Sequence, residues 1–557
     1  MNQANASKGA QMNIDLGKIL FKPWLAVIMS LTLTAYLLYF HLPVLNLRFV
    51  GWIPALIFIL LPFWGVLKLR KALVLLSMVL VVLLVALPFF SSPLFHPAKY
   101  RQLINKVEES SFTEMVSPIN MDRVPIIDQA FAASLAEKKL GEDFALGSRV
   151  SLGDPTIQMV DGKLYWVVPL LHSGFFKWMA NTQNGTPGYI MVSATNSQDI
   201  HFIREVNGKA LNIRYQSNSF FNQDLKRHLY LSGITGVAMA GDTFEIDDSG
   251  EPYWTITLYS KKIGVNGNEA LGLATVHACS GEIKYYPLIR TQDGFSDELI
   301  PDWVDRVQPA YFVLPQLNWW GKYVRGFWNT KFGKRDLLST TDGYNVIYGE
   351  DGRSYFYTGM SSVGADEGTV GFVLTNTRNK QTSLYLISGA TERAAMRSAE
   401  GKVQQFKYYA TFPILVNLDG IPTYFMTLKD AAGLVKMYCF VSVSDFSLVG
   451  VGETVKSARE SYQMNLVTSR SGSMAEAALS MTSAEGRITR IATDVKDGRS
   501  YYYFALETQP GLIFIATSNL STFLPLSKEG DLVSLKYMQT SGNEININEF
   551  KNLSIKG

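Results

Sequence analysis

Three apolar stretches follow one another near the start of the chain: Trp24–Leu42, Val50–Leu67 and Ala72–Phe90. None contains Asp, Glu, Lys or Arg. Each approaches the ~20 residues an α-helix needs to cross a bilayer. The pattern predicts three transmembrane helices within residues 23–91. A secretory signal would be one shorter apolar run, which fits this pattern poorly. Buried helices of a soluble core are the alternative. Pro54 and Pro62 interrupt the second stretch, which neighbouring helices tolerate by satisfying the freed carbonyls. Lys8, Lys18 and Lys22 precede the first stretch, and Lys68, Arg70 and Lys71 separate the second from the third; only Arg48 lies in the first loop. The positive-inside tendency then puts the tail, residues 1–22, in the cytoplasm and everything after about 91 outside an inner or plasma membrane.

Residues 92–147 read as a helical linker. Pro125 is expected in the first turn of a helix, with Ile126, Phe131, Leu135 and Leu140 on its apolar face. The pattern then changes to short runs of aromatic and β-branched residues, which suit a pleated, half-buried surface. One unit recurs. Asp161-Gly162, Ser249-Gly250, Asp351-Gly352, Asp419-Gly420 and Asp497-Gly498 each precede a Tyr-rich run, and a second strand-like run follows. The Asp-Gly pair supplies a positive-φ turn before a strand. The unequal separations of these glycines argue for several small modules and against a closed repeat ring. Helices are expected at Asn218–Tyr230, Thr391–Gln405 with Thr391 as N-cap, and Thr454–Tyr462. The fold class is α+β, with two units in 148–345, two more in 346–470, and a β-barrel in 471–557.

Two resemblances attach to these residues. The turn, aromatic strand and return strand of Asp161–Asn196 and Ser249–Ile283 resemble PepSY-type extracytoplasmic modules. Val192-Ser-Ala-Thr and Val276-His-Ala-Cys-Ser-Gly-Glu match the return strand in part and lack its usual acidic residue. The resemblance implies interaction or inhibitory domains. The C-terminal strands, including Gly530-Asp531-Leu-Val-Ser-Leu-Lys-Tyr, resemble a small OB-like barrel.

Composition narrows the rest. The chain has 557 residues, 47% hydrophobic and 18% charged, with a net charge of +3. That excludes bulk disorder and gives no nucleic-acid footprint. Two cysteines, Cys279 and Cys439, cannot make a disulfide scaffold or a four-thiolate zinc site, although they could pair with each other outside the cytoplasm. His277 and Cys279 share a strand face, the spacing of an activated thiol or of a core cysteine beside a histidine. Asp242, Glu245, Asp247, Asp248 and Glu251 form an acidic cluster without EF-hand spacing, which reads as a solvated turn before it reads as a calcium site. No catalytic residue, metal ligand or cofactor is expected.

The most distinctive segment is Tyr311–Arg335. At helical pitch Trp319, Trp320, Tyr323, Val324, Phe327 and Trp328 form one aromatic face, with Lys322, Arg325, Lys331, Lys334 and Arg335 supplying charge. The residues expected to dock a membrane or partner are Trp319, Trp320, Lys322, Tyr323, Arg325, Phe327, Trp328 and Lys331. Four readings fit: an interfacial helix, a protein-docking face, a helix packed between sheets, or a sugar-stacking platform. Phe175-Phe-Lys-Trp178 is a second aromatic-basic patch.

These features point to a non-enzymatic, membrane-anchored extracytoplasmic scaffold, or protein-binding component, of a bacterial envelope assembly. Its expected partners are membrane lipid and other envelope proteins, with a homo-oligomer open and no nucleic acid. One alternative is an envelope enzyme, or its regulatory subunit, acting on peptide or peptidoglycan. Another is an oligomeric pore or secretion channel.

Overall fold

The computed structural model describes residues 23–66, 70–110, 125–143, 146–292, 294–349, 351–362, 368–418, 420–470, 481–496, 499–517, 520–538 and 543–555. The cytoplasmic tail expected at 1–22 lies outside them. The chain forms two compact units, 1–447 and 448–557, in an α+β mixture of helices and mostly antiparallel sheets.

Among the described residues, two helices are long and apolar enough to cross a membrane, not the three expected. The first is α1 (Pro23–Tyr36), extended by one wide turn to His41. The stretch at 50–67 yields only the nine-residue α2 (Trp52–Leu60), continued by a tight turn, Leu61–Gly65. Pro62 is the cause, because a proline lacks the N–H that would extend the α-helical ladder. At 1.5 Å per residue, Trp52–Trp64 spans roughly 20 Å against the ~30 Å of a bilayer core. The second long helix is α3 (Arg70–Phe90). The Ser30 hydroxyl donates to the Ile59 carbonyl at 2.9 Å, joining α1 to α2. A short helix, α4 (Pro97–Arg101), follows α3.

Four modules repeat one order: helix, edge strand, tight turn, aromatic central strand, return strand; the edge strand is interrupted in modules one, three and four. In module one, α5 (Gln129–Gly141) precedes edge pieces Val150–Leu152 and Thr156–Val160. Both pieces pair with the central strand Lys163–His172, which pairs with Tyr189–Ser193 and then Ile200–Ile203. A six-residue helix, α6 (Phe175–Ala180), sits between central and return strands. Module two has α7 (Leu225–Leu231) and strands Ala238–Ile246, Pro252–Ile263, Asn266–His277 and Ile283–Pro287. Its edge strand stays continuous but slips register at Gly241-Asp242. Module three has α8 (Ala310–Lys322), edge pieces Leu338–Thr340 and Asn345–Tyr348, and strands Ser354–Ser362, Gly368–Asn376 and Thr382–Ala390. Module four has α9 (Glu392–Lys402), edge pieces Tyr409–Ala410 and Ile414–Leu418, and strands Ile421–Lys429 and Val435–Ser442.

Local chemistry explains these elements. Asp161 and Gly162 both take positive φ, 50° and 72°, the twist a two-residue hairpin turn needs. Asp128, Asp224 and Thr391 cap α5, α7 and α9, each side chain accepting a backbone N–H of the first turn. The expected cap at Thr391 is therefore present. Pro125 does not open its helix, because the N–H groups of Ile126 and Ile127 bond the Ala194 carbonyl instead.

In the second unit, α10 (Val455–Arg470) precedes a closed five-stranded barrel. The first strand, Met481–Lys496, pairs with Arg499–Leu506 and with Leu532–Met538. Ile513–Thr517 runs parallel to Glu544–Asn552 and completes the closure. Phe504, Phe514, Leu535, Tyr537 and Phe550 fill its core. Asp497-Gly498 lies outside the described residues, and the strands on either side belong to this barrel, not to a fifth module.

Module two receives the segments that follow α1 and α3. Arg227 Nε donates to the Tyr39 carbonyl at 2.8 Å, and the Tyr39 hydroxyl to Asn222 at 2.9 Å. The Tyr230 hydroxyl donates to the Pro43 carbonyl at 2.8 Å, and Arg48 to the Lys261 carbonyl at 3.0 Å. Beyond α3, Asn266 Nδ2 donates to the Pro88 carbonyl at 3.1 Å, and the Val265 N–H to the Ser91 hydroxyl at 3.2 Å. Gly264 takes a φ of +57°, and a side chain there would collide with Ser91.

Candidate functional site

The interruptions of three edge strands meet at one cleft of about 310 Å³. Pro155 comes from the break in module one, Tyr344 from that in module three, and Thr411 and Phe412 from that in module four. A broken edge strand leaves side chains splayed where a continuous one would alternate them, so the breaks build the lining. Ile126, Ile127, Trp166, Val346, Ile414 and Phe425 complete an apolar wall.

Polar groups frame it. Lys429, at the end of the central strand of module four, is buried and pairs with Asp128 at 2.6 Å. Its ammonium also lies 5.8 Å from the centre of the Phe131 ring. Asp128 thus caps α5 and joins two modules. Gln129 donates to the Pro155 carbonyl at 2.9 Å, and the Trp166 indole to the Ile127 carbonyl at 2.8 Å. Arg306 reaches the Ile157 carbonyl at 3.2 Å; among the described residues its Nε has no hydrogen-bond partner. The lining offers ring faces, methyl groups and the polar side chains of Asp128, Gln129 and Arg306, a composition that holds apolar side chains with a few fixed polar contacts.

Behind Arg306 lies a buried pair of carboxyl groups, Glu245 and Asp305. The Asp305 N–H donates to Glu245 Oε2 at 2.8 Å, and the Tyr348 hydroxyl to Asp305 Oδ2 at 2.7 Å. Burial pushes Glu245 up to about 8, and the neighbouring Asp305 charge adds to this. Burial also raises Asp305, to about 6, opposed by the Tyr348 hydroxyl and Arg306. Neither carboxyl lines the cleft. The Asp305 carbonyl also accepts from Ser354 and Thr377, so this node ties modules two and three together.

A larger open groove of about 720 Å³ runs between α5 and the fourth strand of module one. Its charges are matched within the protein: Arg204 with Asp143 at 2.5 Å, and Lys139 with Glu142 at 2.7 Å.

The expected docking helix is divided. It ends at Lys322, and Gly326 turns the chain with φ +82°. Trp319, Trp320 and Tyr323 point inward. Trp319 meets Tyr100 edge to face at 4.8 Å, Trp320 packs against the sheet of module three, and Tyr323 joins Leu103 and Ile263. Lys322 is half-buried, and its carbonyl accepts from Thr330. The outward part comes afterwards. Arg325 pairs with Asp336, Lys331 lies over the Phe327 ring at 5.9 Å, and Trp328 stacks on Phe332 at 5.7 Å. Trp328 and Phe332 are 64% and 78% exposed. The single aromatic face expected at helical pitch is therefore two faces, one structural and one exposed. Phe332, outside the expected set, is the most exposed ring of the segment.

The remaining candidates resolve structurally. Cys279 and Cys439 are both unpaired thiols. Burial raises Cys279 to about 11, and His277 Nδ1 accepts the N–H groups of Cys279 and Ser280, so the imidazole orders a turn and does not activate the thiol. In the acidic cluster, Asp247 accepts the Ser249 and Glu251 N–H groups, while Glu245 belongs to the buried node. Among the described residues no three His, Cys, Asp or Glu side chains gather as a metal site.

No protein-family profile matches the chain, and no curated protein matches it. Two of the solved structures that align with the chain do so at 10% identity. One, a complex of BT0996 with RGII, covers 76% of this chain and 95% of its own, with a TM-score of 0.16. The other, a mutant levansucrase from B. megaterium, covers 79% and 95%, with a TM-score of 0.18. Neither score reaches a shared fold.

Proposed function

We propose that this protein is a non-enzymatic, membrane-anchored extracytoplasmic scaffold of a bacterial envelope, and that its inter-module cleft receives a partner protein. The observation that carries this reading is the set of hydrogen bonds tying residues 39–48 and 88–91 to module two. Those bonds put two loops of the anchor at one end, beside the modules. In this reading the short α2 carries the chain back between the two long helices, and the basic residues before the first and third apolar stretches mark the cytoplasmic side. An anchor bonded this closely to its cargo suits a fixed platform.

The fourfold order of helix, edge strand and aromatic meander supports a PepSY-like reading of the modules. The barrel, with its parallel closing pair, supports an OB-like reading. Both point to interaction domains. The exposed Trp328, Lys331 and Phe332 follow directly on α8, whose end packs on Tyr100; the Tyr100 hydroxyl in turn bonds the Ser91 carbonyl at 2.8 Å. In this reading they lie near the outer end of α3, where aromatic and basic side chains favour the membrane interface.

Site-specific photo-crosslinking from position 412 of the full-length protein in native membranes tests the reading. One discrete adduct, lost when Thr411→Trp fills the cleft, is expected. Its mass separates a second copy from another protein. Absence of any adduct, or hydrolysis of an envelope peptide or peptidoglycan by the purified protein, would overturn it.

A further inference from the structure

We infer that a second surface, built by α6 and the loop before α7, sits in the headgroup region of the outer leaflet and contacts phospholipid directly. Phe175, Phe176 and Met179 of α6 are exposed, as are Phe220 and Phe221; Phe176 reaches 75%. The rings are held rigidly. Phe175 meets Phe220 at 5.2 Å and Trp178 meets Phe221 at 5.6 Å, while the Trp178 indole donates to Gln223 at 2.7 Å. A contiguous exposed apolar patch of this kind marks an interaction surface.

Its position identifies the occupant. Asn222, the residue after Phe221, accepts the Tyr39 hydroxyl, and Arg227 bonds both the Phe221 carbonyl at 2.8 Å and the Tyr39 carbonyl. The patch is therefore continuous with the contact between module two and the outer end of α1. That end lies at the level of the lipid headgroups if α1 spans the bilayer. Lys177 of α6 and Lys226 in the first turn of α7 are exposed beside the patch, the basic flank an anionic leaflet attracts. The inference rests on the membrane-anchored reading and extends it from an anchor of helices to a platform that also lies on the lipid.

The test uses full-length protein with Cys279 and Cys439 replaced by alanine. An environment-sensitive fluorophore is placed on Phe176→Cys or, separately, on Val82→Cys within α3. Each protein is reconstituted in phosphatidylethanolamine–phosphatidylglycerol vesicles carrying doxyl-labelled lipid. Quenching of the 176 probe by shallow doxyl groups, with protection from aqueous iodide, is expected, while the 82 probe is quenched by deep doxyl groups. If 82 is quenched but 176 stays open to iodide, the inference is wrong and the anchor stands. If 176 is shielded from both quenchers, protein covers the patch and the inference is wrong. If 82 is not quenched by lipid, the anchored reading itself fails and takes the inference with it.

Discussion

Arg227 grips Tyr39 twice: its Nε donates to the Tyr39 carbonyl at 2.8 Å, and its guanidinium lies 5.0 Å from the centre of the Tyr39 ring. A residue of module two thereby holds the last turn of the first apolar helix. A charge-assisted hydrogen bond contributes roughly 1.5–3 kcal/mol, and the ring contact adds about 0.5–1 kcal/mol at an exposed site. Arg227→Ala should release this joint without unfolding module two. Hydrogen exchange of the full-length protein should show lost protection in 37–48 and around 221–236, with Arg227→Lys intermediate. Unchanged protection would mean that the neighbouring bonds hold the joint alone.

The Glu245–Asp305 node makes stability depend on pH. Burial raises both carboxyl groups above the ordinary carboxylate range, so ionisation is harder in the folded than in the unfolded chain. Their stabilising contribution is complete below about pH 4 and is lost as pH rises toward 8. Glu245→Gln keeps a hydrogen-bonding side chain and removes one ionisation. Denaturant unfolding of this variant should show a flatter decline of stability between about pH 5 and 8 than the unaltered protein.

Arg378 organises the loop between modules two and three. Only 2% of it is exposed. Its guanidinium bonds the Asp297 carboxylate at 2.6 Å and the carbonyls of Ile300, Pro301 and Val304 at 2.8–3.0 Å. Arg378→Met should cost about 3–5 kcal/mol, because it strips several carbonyls of their buried donor and leaves the partly buried Asp297 carboxylate to Arg353 and Asn379. Thermal melting should show it, with a larger fall than for Arg393→Met, whose ion pair to Asp342 is exposed.

The thiols offer a simple chemical check. Burial raises both above the ordinary cysteine range, Cys279 to about 11. Because the thiolate is the nucleophile, maleimide should modify Cys279 more slowly than a free thiol. Cys439, fully buried, should react only after unfolding. Rapid labelling of Cys279 at neutral pH would revive it as a nucleophile.

Much of this architecture was legible along the chain. The Asp-Gly turns and the aromatic runs marked four central strands, and Thr391 marked its helix. The breaks in the edge strands of modules one, three and four were not legible. Gly153-Asp154-Pro155 and Thr411-Phe412-Pro413 read as ordinary loops, and only pairing of both flanking pieces with one central strand makes them interruptions. The cleft was hidden for the same reason, since its lining comes from breaks far apart in the chain, at Pro155, Tyr344 and Thr411. Pattern also failed at the second apolar stretch, where hydrophobicity exceeded the helix that Pro62 permits. At 319–335 periodicity alone could not separate rings turned inward from rings turned out, because the turn at Gly326 falls within an unbroken aromatic pattern.

The central claim is that the modules stand outside the membrane on an anchor whose 67–71 loop is cytoplasmic. Labelling of intact cells with an impermeant maleimide tests it most directly, using full-length protein with Cys279 and Cys439 replaced by alanine and one new cysteine, Ser92→Cys or Lys71→Cys. The account predicts that position 92 is labelled in intact cells and position 71 only after the membrane is opened. Labelling of 71 but not 92 in intact cells would contradict it.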